Sequence, residues 1–103
     1  MAAQDGEPHL LPIEGTLDLH TFRPQEAAAV VEAFLEESRA RGWREVRIIH
    51  GKGIGTLREL VHAQLRRSPL VVSFRLGNET SGGWGATIVA LKPAAIPRRP
   101  DGG

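Results

Sequence analysis

The sequence predicts an α/β fold: a two-layer sandwich of order β-α-β-α-β-β, with a four-stranded mixed sheet and two helices on one face. Three observations predict it. Two amphipathic helical stretches, 24–42 and 55–67, alternate with short β-type runs. Such alternation makes the first strands parallel and joins them by right-handed crossovers. The last two runs, 71–76 and 86–91, have no helix between them, and two helices suffice to cover a single face.

Each element has its own signals. "EGTLDLH" opens the ordered chain with a strand over 15–19. In "PQEAAAVVEAFLEESRARG", Ala27, Val30, Val31, Phe34 and Leu35 fall on one stripe at the helical period. Pro24 suits the first turn, Glu26 complements the helix dipole, and Gly42 marks the stop. "EVRIIH" is the second strand, 45–50. Leu57, Leu60, Val61 and Leu65 form the stripe of the second helix, which Pro69 terminates. "VVSFRL" and "ATIVAL" are the last two strands, joined by the loop "NETSGGWG". Residues 1–12 and 93–103, rich in proline and glycine without periodicity, read as flexible tails around one domain over 13–92.

Composition narrows the class. The chain has 103 residues, 41% hydrophobic and 24% charged, which suits a globular fold with a modest core. It has no cysteine, so disulfides, thiolate nucleophiles and thiolate metal sites are excluded, consistent with a cytoplasmic protein. No apolar run reaches the roughly 18 residues of a membrane span, so no membrane partner is expected. The net charge of +1 hides an asymmetry: residues 1–38 carry eight acids against Arg23, and residues 39–75 carry nine bases against Glu45 and Glu59. Most of these bases are arginine, whose planar fork suits phosphate oxygens. The middle of the chain therefore reads either as a basic face or as an ordinary solvated one.

Ligands of open α/β sheets bind beyond the carboxyl ends of the parallel strands. The first such end, "LDLH", places Asp18 and His20 two residues apart; the second ends at His50. If the two strands are neighbours, these three side chains converge. In "HGKGIGTLR", Gly51, Gly53 and Gly55 permit a tight turn whose N–H groups approach an anion, at the positive end of the second helix. Lys52 and Arg58 add charge. The turn can equally be a plain strand-to-helix connection. It is neither a Walker loop nor a dinucleotide fingerprint, because the lysine-serine and distal acid are missing. Two histidines and an aspartate can also ligate a divalent ion, but no His-x-x-x-His spacing supports permanent zinc. His9 and His62 read as structural or idle.

"LDLH", "IIHGKGIGTLR", "HAQLRRSPLVVSFR" and "GGWGATIVAL", in this order, resemble the Smr (small MutS-related) domain over about residues 14–92. The resemblance implies the two-layer fold, association with DNA or RNA, and in many members endonuclease activity. It maps the Leu-Asp-x-His motif onto Leu17, Asp18 and His20, His-Gly-x-Gly onto His50, Gly51 and Gly53, and the late glycines onto Gly82, Gly83 and Gly85. Thr21 stands where many members have glycine.

The expected chemistry is phosphodiester cleavage. With RNA, His20 and His50 act as base and acid on the 2′-hydroxyl and the leaving oxygen, Asp18 orients an imidazole, and the turn, Lys52 and Arg58 stabilise developing charge. Nicking DNA calls instead for activated water and a Mg2+ or Mn2+ held by Asp18 and a histidine. Trp84, flanked by Gly83 and Gly85, stacks on an unpaired base or caps the core. The rival reading is a non-catalytic module that grips a nucleic-acid backbone or branched structure. A third, a small-anion binder, predicts saturable mononucleotide binding. The sequence leaves RNA versus DNA and the oligomeric state open.

Overall fold

The computed structural model describes residues 13–52, 55–77 and 85–93. The expected N-terminal tail, and all of the expected C-terminal tail except Pro93, lie outside the described residues. The elements run β1 (Gly15–Asp18), α1 (Ala27–Ala40), β2 (Glu45–Ile49), α2 (Thr56–Arg67), β3 (Val71–Leu76) and β4 (Ala86–Leu91). The sheet order is β1-β2-β4-β3. β1 pairs with β2 in parallel, Asp18 opposite Ile49. β4 pairs antiparallel with both β2 and β3, so the last described strand in sequence occupies a central position. The mixed sheet and the two helices match the architecture the sequence predicts.

Burial follows the period of each element. In α1 the fully buried residues are Ala27, Val31, Leu35 and Ser38, with Val30 and Phe34 half-buried against the same core. The helix is preceded by a 3-10 turn, Pro24–Glu26, where the Glu26 carboxylate accepts the Arg23 backbone N–H at 3.0 Å. It closes with a pair of hydrogen bonds, Gly42 N–H to Arg39 O and Trp43 N–H to Ser38 O, which satisfies the last carbonyls. In α2, Val61 and Leu65 are buried, while Leu57 and Leu60 pack on the core margin. Gln64 donates from α2 to the Ala28 carbonyl of α1 at 2.8 Å, a direct tie between the helices.

Beneath the helices, Val46 and Ile48 of β2 and Val89 and Leu91 of β4 complete the core. Each such aliphatic side chain contributes about 1.5–3 kcal/mol when fully withdrawn from water. The alternating residues leave the sheet on its other face. There Arg75 meets Glu45 at 3.2 Å across β4, and Arg47 donates to the Thr16 hydroxyl at 3.2 Å. β3 is an edge strand with an irregularity between Val71 and Ser73, which leaves Val72 exposed. Among the described residues, no helix is long and apolar enough to cross a membrane.

Candidate functional site

The first strand ends one residue earlier than its sequence suggests. Asp18 is extended, and its carboxylate accepts the backbone N–H of His20 at 3.1 Å, capping a 3-10 turn over Leu19–Thr21. The short aspartate side chain thus competes with the ladder and turns the chain. Leu19 plugs into the core and His20 is left outside. The same carboxylate oxygen lies 2.5 Å from His20 Nδ1. An ionised carboxylate only accepts, so Nδ1 carries the proton, and Nε2 is the ring's outward atom. Both side chains are open to solvent, at 67% for His20 and 41% for Asp18. The Thr21 hydroxyl donates to the Asp18 carbonyl at 3.2 Å and supports the turn.

The second strand ends in the glycine turn. Gly51 (φ 88°) and Gly55 (φ 90°) occupy the left-handed region, which a side chain would strain. The N–H groups of His50 and Gly51 both donate to the Gly85 carbonyl, at 2.9 and 2.8 Å. The turn crosses Gly85 so closely that a Cβ there would lie 3.0 Å from Lys52 Cγ. Gly55 is the residue before α2, and the Arg58 guanidinium folds back over it, 2.7 Å from where a Cβ would stand. Arg58 therefore brings its charge to the start of the helix, where the unpaired backbone N–H groups also gather.

His50 does not join Asp18 and His20. Register puts Asp18 on the face of Ile49, whereas His50 continues the buried series Val46, Ile48 toward the helices. It is 5% exposed. Its Nδ1 is 3.1 Å from the Gly51 carbonyl and its Nε2 is 2.8 Å from the Thr87 hydroxyl. Neighbouring parallel strands bring the ends of β1 and β2 together, as expected, and the pleat puts Asp18 and His50 on opposite faces. Asp18 and His20 thus form a contacting pair, while His50 is buried and bonds to Gly51 and Thr87. Burial holds His50 below the ordinary imidazole pKa, and the nearby Arg58 charge acts the same way against the opposing Gly51 hydrogen bond.

His62, read from sequence as structural or idle, reaches the same hydroxyl: its Nε2 is 2.7 Å from Thr87 Oγ1. Its ring packs on Phe74, with centroids 4.8 Å apart, and meets His50 edge-on at 5.9 Å. Burial is the main cause that lowers its pKa too. Sequence reasoning missed Thr87 altogether. Alternation within "ATIVAL" does place it on the face of Val89 and Leu91, the signal that was present.

Several arginines of the basic middle of the chain are engaged within the molecule. Arg39, Arg41, Arg44, Arg47 and Arg75 each bond within the molecule: to the Pro93 carbonyl, Glu37, the Leu91 carbonyl, Thr16 and Glu45. Gly53, Gly83 and Trp84 lie outside the described residues. Among the described residues no three histidine or acidic side chains gather as a metal-binding group.

Comparison with known proteins agrees with this architecture. The family model of the Smr domain matches residues 17–92. Endonuclease MutS2 of Halothermothrix orenii is 41% identical over 80 residues, covering 78% of this chain and 10% of that protein. Endonuclease MutS2 of Brevibacillus brevis is 42% identical over 80 residues with the same shares. The chain thus spans about a tenth of the length of these curated relatives. The crystal structure of the Smr domain of Thermus thermophilus MutS2 superposes with a TM-score of 0.70 at 39% identity, covering 79% of this chain and all of that one. YdaL, a stand-alone small MutS-related protein from Escherichia coli, gives a TM-score of 0.71 at 31% identity, with 75% and 63% covered. Fold, motif order and sequence agree, and the chain belongs to the Smr domain family.

Proposed function

We propose that this domain binds nucleic acid and cleaves phosphodiester bonds, with Asp18 and His20 as its catalytic pair. The observation that carries the reading is the Asp18–His20 contact at the exposed carboxyl end of β1, directly beside the strand that leads into the glycine turn. A polar pair at that edge is where α/β sheets place their chemistry. The relatives named endonuclease MutS2 support the choice of phosphodiester cleavage.

RNA suits the pair because it brings its own nucleophile. His20 Nε2 takes the 2′-hydroxyl proton while Asp18 stabilises the imidazolium that forms. The 2′-oxygen attacks phosphorus, the bond to the 5′-oxygen breaks, and water at this open site protonates the departing oxygen. The products are a 2′,3′-cyclic phosphate and a 5′-hydroxyl. Lys52, Gly53, Gly55 and Arg58 grip the phosphate and balance the charge that builds on it, on a turn that Gly51 opens. Gly83 and Trp84 are assigned to contacts with the bases or backbone of the same strand. His50 passes from proton transfer to support of the turn. Should DNA be the substrate, Asp18 and His20 are the residues that would hold a divalent ion, and that ion would supply the activation of water.

One observation favours a second reading. With His50 buried, a single exposed imidazole remains among the described residues, and the same turn then serves a module that grips nucleic acid without cutting it. Tag-free protein is incubated with labelled RNA, single-stranded DNA and supercoiled plasmid, with and without EDTA. Cleavage of RNA that persists in EDTA supports the first reading. Tight binding to all three without a cut supports the second, and neither binding nor cleavage contradicts both.

A further inference from the structure

The hydrogen-bond donors around Thr87 can be assigned one by one. The Gly51 carbonyl only accepts, so His50 Nδ1 must carry the proton of that 3.1 Å contact. A neutral His50 then presents Nε2 as an acceptor, which the Thr87 hydroxyl fills at 2.8 Å. The same hydroxyl oxygen, having spent its proton, accepts from His62 Nε2–H at 2.7 Å. The result is a one-way chain, His62 to Thr87 to His50 to the Gly51 carbonyl. It joins α2, β4 and the end of β2. Because it ends on a carbonyl, it conducts no proton to the surface; what it fixes is geometry.

The fixed element is the peptide after Gly51. Its carbonyl is drawn inward by His50, and in a planar trans peptide the Lys52 N–H points the opposite way. From the other side, the Gly85 carbonyl takes the N–H groups of residues 50 and 51. The left-handed Gly51 is thus held from both sides, and the middle of α2 is tied to it through His62 and Thr87. The charged groups around the two rings are Arg58, Glu59 and Arg66, all on α2.

We propose that Thr87 and His62 are positioning residues: their chain to His50 sets the orientation of the Gly51–Lys52 peptide, beside which the substrate phosphate binds. This rests on the phosphodiester reading above. The test combines histidine 15N NMR, which needs no substrate, with RNA cleavage and binding. In the wild-type protein His50 should be the neutral Nδ1–H tautomer with Nε2 accepting. Thr87→Val should leave Nδ1–H on the Gly51 carbonyl but shift the His50 Nε2 resonance through loss of its donor and lower the cleavage rate at least tenfold, and Thr87→Ser should restore both. His62→Phe keeps a ring against Phe74 but offers no donor. It serves if Thr87→Val does not fold, with about a threefold rate loss expected. An Nε2–H tautomer of His50 in the wild type overturns the proposal, as does a folded Thr87→Val or His62→Phe protein that cleaves at the wild-type rate. Wild-type protein that neither binds nor cleaves overturns the functional reading and the role built on it. The tautomer spectrum separates that failure from the absence of the chain.

Discussion

The Asp18 carboxylate and His20 Nδ1 lie 2.5 Å apart on the exposed rim of the sheet, yet His50, one residue past Asp18's cross-strand partner Ile49, faces the other way. Two histidines that sequence treats alike therefore have different physical tasks. One is held by a carboxylate in water; the other is withdrawn into the core between a hydroxyl and a carbonyl.

Asp18→Asn separates orientation from structure. The amide can still accept from the His20 backbone N–H but no longer stabilises an imidazolium. RNA cleavage should fall by roughly 10²-fold or more, with the melting temperature changed by little because the side chain is exposed. Single-turnover rates and a thermal melt check both halves.

His50→Ala should act mainly on stability. It strips the Thr87 hydroxyl of an acceptor and leaves the Gly51 carbonyl unpaired, at a cost of about 1–3 kcal/mol before any cavity effect. For a domain of this size that is a drop of several degrees at least in melting temperature. A His50→Ala protein as stable as wild type contradicts the buried placement.

Acid should loosen the fold through the same histidines. Burial lowers the pKa of His50 and of His62, so near and below the ordinary imidazole value the unfolded chain binds more protons than the native one. Their contribution is present above about pH 6.5 and is lost as pH falls below it. Melting temperatures should be flat from pH 7 to 8 and decline toward pH 5. His62→Phe should flatten part of that decline.

Arg58→Gln tests the grip on phosphate. Its guanidinium lies over Gly55 at the start of α2. Losing it should weaken binding about equally for all sequences and reduce the salt slope of log K by about one. Binding isotherms at several salt concentrations supply the slope.

Much of the fold is legible because its signals are local. The stripe Ala27, Val31, Leu35 and the stop at Gly42 define α1 without reference to the rest of the chain. The pairing of β1 with β2 follows from the crossover rule. Side-chain direction at the strand ends is less legible. Asp18 stops β1 by capping its own turn, so His20 meets it through a bend rather than along a strand face. The facing of His50 depends on pleat parity relative to β1, which needs the register as well as the neighbour. Thr87 is further still from view: its partners lie 25 and 37 residues back, and periodicity carries no information about such pairs.

The decisive comparison is RNA cleavage by His20→Ala beside the wild-type protein in EDTA, with binding measured on the same samples. A rate reduced by roughly 10²–10⁴ with affinity within about twofold is the expected result. Undiminished cleavage by His20→Ala would remove the exposed pair from the chemistry.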